Sequence, residues 1–143
     1  MNAQWCQRVL IVILIGLLTA CGTSTPPLGL APSKQLVQKA IALQLSQTQQ
    51  RLTQQLQASP PKFEVPQVKL KQLEAIFVED LPTYHVRGTY NLKFNLPAQQ
   101  VTQENNTFDI YLQRQKEGKT WRLLRPEVTG KNTAQVWRSY LIR

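Results

Sequence analysis

Apolar positions along the 143 residues change their spacing three times, and each change marks a boundary. Val9 to Leu18 reads VLIVILIGLL, an almost unbroken apolar run that stops at Thr19 and Ala20. It falls well short of the about 20 residues a helix needs to cross a bilayer, and it has the length of a signal-peptide core. Gly22 to Ser33, GTSTPPLGLAPS, has no apolar period and is rich in Gly, Pro, Ser and Thr, the composition of an extended tether. From Lys34 to Gln57 the apolar positions are Leu36, Val37, Ala40, Ile41, Leu45, Leu52 and Leu56, mostly three or four apart. That spacing predicts an amphipathic helix of about six turns. Ser33 stands at its N-cap after Pro32, and Ser59-Pro60-Pro61 ends it.

Beyond Pro61 the period falls to two. Val65 to Val78 is rich in β-formers, but Val68 and Leu70 share one parity while Leu73, Ala75 and Phe77 share the other, so a bulge is expected near Gln72. Glu79-Asp80 marks a turn. Tyr84, Val86, Gly88, Tyr90, Leu92, Phe94 and Leu96 then alternate with Thr83, His85, Arg87, Thr89, Asn91, Lys93 and Asn95, which predicts a strand with one side in the core and the other in water. Pro97 to Asn106 reads as a polar loop, and Thr107 to Gln115 as a strand with Phe108, Ile110 and Leu112 on one face. Lys116-Glu117-Gly118-Lys119 is a hairpin turn signal, followed by a strand from Thr120 to Arg125 that carries Trp121 and Leu123 inward and stops at Pro126. Thr133 to Ile142 suits either period and is read as a short strand.

A helix with one apolar face and strands with one apolar face must bury those faces against each other. The expected fold is therefore α+β: one long N-terminal helix packed on a curved antiparallel sheet of about four strands, in a single domain over 34–143. This order of elements resembles the cystatin and NTF2-like arrangements, in which a curved sheet wraps around a helix. The resemblance lies in element order and implies the fold alone.

Charge adds a constraint on partners. Seventeen Lys and Arg stand against eight Asp and Glu, for a formal net charge of +9, and within residues 1–20 only Arg8 is charged. Such a balance favours acidic contacts: anionic lipid head groups, phosphorylated polymers or acidic proteins. Arg87 and Lys93 share the wet side of one strand and Arg114, Arg122 and Arg125 sit on the later hairpin, so a basic surface across the sheet is the candidate site for an anionic partner. The competing reading is a solvated face that only keeps the domain soluble.

Both cysteines, Cys6 and Cys21, lie in or at the edge of the leader. A disulfide framework or cysteine metal site in 34–143 is thereby excluded, and the domain must rely on its apolar core. Leu18-Thr19-Ala20-Cys21-Gly22 resembles the lipobox of bacterial lipoproteins: a branched apolar residue, two small residues, then a cysteine. The resemblance implies cleavage between Ala20 and Cys21, diacylglyceryl transfer to the Cys21 thiol and, in many members, acylation of the new amino group. Two or three acyl chains, at about 0.8 kcal/mol per buried methylene, anchor a protein stably where one would not. A plain secretory signal cut after Ala20 is the alternative, and the cysteine directly after this run argues against it. Gly22 and Thr23 follow, rather than the aspartate that retains some lipoproteins in an inner membrane, so inner and outer membranes both stay open. The expected address is the extracytoplasmic side of a bacterial membrane, with residues 1–20 as leader and 21–33 as lipidated cysteine and tether.

Catalytic signals are sparse. His85 is the sole histidine; on the polar side of its strand it is expected to face solvent, without companions for a zinc site or a nucleophilic triad. Glu79 and Asp80, the only adjacent carboxylates, would point to opposite faces of an extended chain, unlike the paired acids of a glycosidase. The nucleotide-binding and hydrolase signatures G-x-x-x-x-G-K, G-x-G-x-x-G, H-E-x-x-H and G-x-S-x-G do not occur. Asn105-Asn106-Thr107 fits the glycosylation sequon, which in a bacterial setting marks a surface loop at most. Trp121, Tyr90 and Tyr111 among the basic residues suit nucleic acid, but an exported, anchored domain rarely meets it, and none is expected as a partner. The expectation is a non-enzymatic interaction module without cofactor or metal, binding an envelope protein or an anionic surface. A small-ligand carrier with a pocket between helix and sheet is the alternative; the large inward residues Val86, Leu92, Phe94, Ile110 and Leu112 favour a filled core.

Overall fold

Ser33 starts the helix as its sequence position suggests: its Oγ accepts the Leu36 amide hydrogen at 3.3 Å, satisfying one of the donors a first turn leaves free. The computed structural model describes residues 25–56, 59–128 and 135–143, so the leader, Cys21 and the last helical residue expected, Gln57, lie outside the described residues. Helix α1 spans Lys34–Leu56. Its first half is a packed stripe, with Val37, Ala40 and Ile41 at most 2% exposed. In the second half the stripe thins to Leu52, which is half exposed. Two glutamines clip the helix to the start of the sheet: Gln38 donates to the Val65 carbonyl, and Gln49 to the Pro61 carbonyl at 2.8 Å.

Five strands follow: β1 Lys62–Val78, β2 Leu81–Asn95, β3 Gln100–Arg114, β4 Trp121–Val128 and β5 Gln135–Ile142. They form one antiparallel sheet in sequence order. The α+β class holds, but the sheet has five strands rather than about four. The ambiguous C-terminal segment is a full member, paired with β4 from Trp121↔Ile142 to Val128↔Gln135. Two boundaries also differ from the pattern-based reading. The expected loop at 97–106 shrinks to a turn closed by the Leu96 amide on the Gln99 carbonyl at 3.0 Å, and Gln100 onward belongs to β3. The polar residues there hid the strand, whose pairing is interrupted between Tyr90 and Leu92 beside Asn105 (φ 57°). Pro126 does not stop β4, because pairing with β3 already ends at Leu124 and proline is tolerated on a free edge.

The parity switch near Gln72 is a register shift between Leu70 and Gln72. Opposite it lies Gly88, where a Cβ would stand 2.0 Å from the Lys69 carbonyl oxygen and 2.9 Å from the Phe108 ring. Only glycine admits that approach. Glu79 and Asp80 form the β1–β2 turn with φ of 51° and 61°, the double left-handed geometry that matches strand twist in two-residue hairpins. The second turn signal, Lys116 to Lys119, is likewise a hairpin turn, with Gly118 at φ 72° and its amide on the Gln115 carbonyl at 2.8 Å.

Val68, Tyr84, Val86, Ile110, Leu112 and Leu123 form the inner face under α1 and are nearly inaccessible. Trp121 packs against this cluster, its ring 5.9 Å from that of Tyr84. Past the reach of the helix, Leu70, Leu73 and Phe77 on β1 remain more than a third exposed. The described part of the expected tether, 25–33, packs on the domain. Pro26 and Pro32 are buried, Leu28–Leu30 make a 3-10 turn, and the Tyr84 hydroxyl donates to the Pro27 carbonyl at 2.8 Å. Desolvation raises the Tyr84 pKa, against a smaller opposing effect of Arg114, so the hydroxyl is held in its donating form. From Pro26 onward the chain is part of the domain.

Candidate functional site

The five basic residues expected on one surface divide between the two faces of the sheet. Arg87 and Lys93 alternate with the core residues of β2 and lie on the outer face, and Arg122 opposes Gln113 there. Arg114 and Arg125 have the inner parity, paired across strands with Trp121 and Arg138. Arg114 is engaged at the β3–β4 hairpin, where its Nε and one terminal nitrogen donate to the Gly118 carbonyl at 3.0 and 2.8 Å.

On the outer face, the register sets Glu74, His85 and Tyr111 in one row and Gln72, Arg87 and Asp109 in the next. His85 is 6% exposed, not solvent-facing. Its ring stacks on Tyr111 with centroids 4.1 Å apart, and Tyr111 meets Trp137 edge-on at 5.0 Å. Nε2 of His85 lies 2.5 Å from Asp109 Oδ1, and Glu74 is 3.8 Å from Nδ1. Arg87 Nε and one terminal nitrogen approach the two ring nitrogens at 3.1 and 3.3 Å. A nitrogen that donates to Asp109 cannot also accept from arginine, so the paired contacts describe a guanidinium lying over the imidazole. Arg87 also reaches Asp109 Oδ2 at 3.1 Å and Gln72 Oε1 at 3.2 Å.

This cluster consumes its own chemistry. The imidazole is covered, its Nε2 is engaged by a carboxylate, and no serine or cysteine stands among these contacts as a nucleophile. Among the described residues no group of three or more His, Cys, Asp and Glu is placed to hold a metal ion. Burial here came from cross-strand partners, which the alternation of a single strand does not reveal.

A different geometry occupies the inner side, where the second half of α1 and the β4–β5 hairpin line a common cleft. The cleft between them, about 610 Å³, is lined by Gln47, Gln50, Arg51 and Gln54 of the helix and Arg125, Glu127, Arg138 and Tyr140 of the hairpin. Arg125 and Arg138 are direct cross-strand partners. Like charges so placed repel, and the alternation of strand faces aims both toward the helix. Arg138 Nε is matched by Glu127 Oε2 at 2.8 Å, whereas Arg51 and Arg125 have no hydrogen-bond or ion-pair partner among the described residues. Gln47 Oε1 is buried without a donor in the same wall. Three guanidinium groups, one carboxylate and one unpaired acceptor therefore share the lining of this cleft.

Arg125 was legible as a candidate from charge alone. Arg51 and Arg138 were not, because their partnership depends on how the helix lies over the last hairpin. Across the helix from this cleft, Leu45, Leu52, Phe63, Leu92 and Phe94 line a second groove of about 400 Å³ that is almost wholly apolar. Compared with known proteins, the chain matches no family model, no curated protein and no solved structure at a significant level.

Proposed function

We propose that this chain is a lipid-anchored bacterial envelope protein whose domain is a non-enzymatic binding module, and that the cleft between α1 and the β4–β5 hairpin receives an acidic group of an envelope partner. Anchoring rests on Leu18-Thr19-Ala20-Cys21 after an apolar run too short to span a bilayer. Binding rests on one observation above all: Arg125 faces Arg138 across the hairpin, with Arg51 nearby and a single carboxylate among them. An anion bridging the guanidinium groups removes the repulsion that the empty pairing carries. The carboxylate and phosphate oxygens of acidic proteins or phosphorylated polymers match these donors bidentately.

The anchor is tested by substitution. Cys21→Ala is expected to leave uncut precursor or to release the protein from membranes, and a fully processed, membrane-bound Cys21→Ala product would refute it. The cleft is tested by titrating the protein with inorganic pyrophosphate and with a polyglutamate peptide while following amide chemical shifts. Shifts centred on Arg51, Arg125 and Arg138, abolished in Arg125→Gln, are expected. Shifts spread evenly over all basic surface residues would overturn the assignment.

A second reading, a carrier of a small apolar ligand, draws support from the groove lined by Leu45, Leu52, Phe63, Leu92 and Phe94. Saturable binding of a fluorescent fatty acid, lost in Leu52→Gln, would bring it forward.

A further inference from the structure

The segment closest to the expected lipid is the one the structure fastens to the domain. Between Cys21 and Thr25 stand only Gly22, Thr23 and Ser24, so four chain steps span at most about 14 Å even when fully extended. At Pro26 the chain is buried, and at Pro27 it is held by the Tyr84 hydroxyl. A lipid on Cys21 therefore keeps this end of the domain at the membrane surface and leaves little slack for the domain to stand off.

That end has the chemistry of a membrane contact. Leu28 and Leu30 of the 3-10 turn are 63% and 41% exposed, although both are large and apolar. Leu30 shares a cleft of about 340 Å³ with Leu36, Arg114 and Trp121. Arg114 holds the Gly118 carbonyl of the β3–β4 turn, so the turn that carries Lys116 and Lys119 is fastened to the wall of the cleft that Leu30 lines. Both lysines are exposed, as is Lys34 at the helix start. Glu117 lies in the same turn and is bound by the Thr120 hydroxyl, which with other hydrogen bonds lowers its pKa. The acidic β1–β2 turn, Glu79-Asp80, is at the same end of the sheet but two strand spacings away, about 10 Å.

We infer that Leu28 and Leu30, with Lys34, Lys116 and Lys119 around them, form a foot that rests on the anionic bilayer carrying the Cys21 lipid. The inference rests on the lipid-anchor reading above. Apolar side chains enter the head-group boundary while each nearby lysine gains from the negative surface. The acidic turn sets the tilt, since it is repelled while the β3–β4 side is drawn in. Arg51 lies 17 helical positions beyond Lys34, about 25 Å along the axis, so a seated foot directs the arginine cleft away from the membrane toward partners in the envelope.

The mature chain offers no other free thiol once Cys21 carries its lipid, so one introduced cysteine reports one position. Lipidated protein bearing Leu28→Cys or Ala98→Cys, the latter in the β2–β3 turn at the opposite end, is labelled with a polarity-sensitive dye. Each is reconstituted into phosphatidylcholine vesicles with and without phosphatidylglycerol. The expected result is a blue shift and quenching by lipid-borne quenchers at Leu28→Cys alone, strengthened by phosphatidylglycerol and lost when Lys116→Glu and Lys119→Glu are added. Protein that floats with vesicles while both labels stay equally wet would overturn the foot and leave the anchor standing. Protein that does not float would remove the anchor as well. A Leu28→Cys shift seen only in native membranes would assign the patch to a protein partner and overturn the inference.

Discussion

Under the helix, Tyr84, Val86, Ile110 and Leu112 are sealed by Val37, Ala40 and Ile41, an apolar layer meeting an apolar layer. On the opposite face no second layer lies above the sheet among the described residues, yet Thr83, His85 and Gln113 are 0%, 6% and 4% exposed. The first face is closed by transfer of hydrocarbon out of water, whereas the second buries polar side chains among Tyr111, Trp137 and Leu124 and satisfies them with hydrogen bonds. Thr83 returns its hydroxyl to the Leu81 carbonyl at 3.1 Å, Gln113 donates to the Val78 carbonyl at 3.0 Å, and His85 is stacked on Tyr111 and hydrogen-bonded to Asp109. Burial by hydrogen-bonded polar groups is nearly neutral while every partner is present, and unfavourable once one is removed.

That contrast is testable by substitution. Leu112→Ala, at 0% exposure, is expected to lose about 3–4 kcal/mol of unfolding free energy, read by denaturant titration. A loss under about 1 kcal/mol would mean that the inner face can collapse around the vacancy. Gln113→Leu keeps the volume and adds apolar surface, so packing alone predicts a neutral or stabilising change. Because the Val78 carbonyl loses its donor, a loss of about 2 kcal/mol is expected instead, and stabilisation would show that the outer face is held by packing after all.

The smallest effect is one of pH and concerns the inner face. Tyr84 has a raised pKa through burial, so the folded state retains a proton that the unfolded chain releases. Its contribution is fully present below the ordinary tyrosine pKa of about 10 and is lost as pH rises from there through the folded value. The fall in Tm between neutral pH and pH values above about 10 should be smaller in Tyr84→Phe than in the natural sequence. An unchanged fall would mean that the hydroxyl is not shielded.

Element identity was legible wherever one side of an element alone carried the signal. Leu36 to Leu45 announced the helix, Tyr84 to Phe94 announced β2, and the parity change around Gln72 announced a bulge, because burial against a single neighbour imposes its period on the sequence. The start of β3 was hidden because Val101 is the single apolar residue from Gln100 to Asn106, too few to set a period. β5 was ambiguous because Val136, Trp137, Tyr140 and Leu141 satisfy two periods. The candidate site was less legible still. Charge drew attention to Arg125, but Arg87 turned out to cover His85 and Arg114 to brace a turn.

By itself the sequence determined the order of elements, the reliance on an apolar core without disulfides and the lipobox-like cysteine, since each depends on residues close together in the chain. Tertiary structure decided the burial of His85, the docking of Pro26 to Pro32 onto the domain and the facing of Arg125 and Arg138 under Arg51. Those depend on pairings between distant segments, where register and the path of the helix, rather than local composition, fix which side chains share a space.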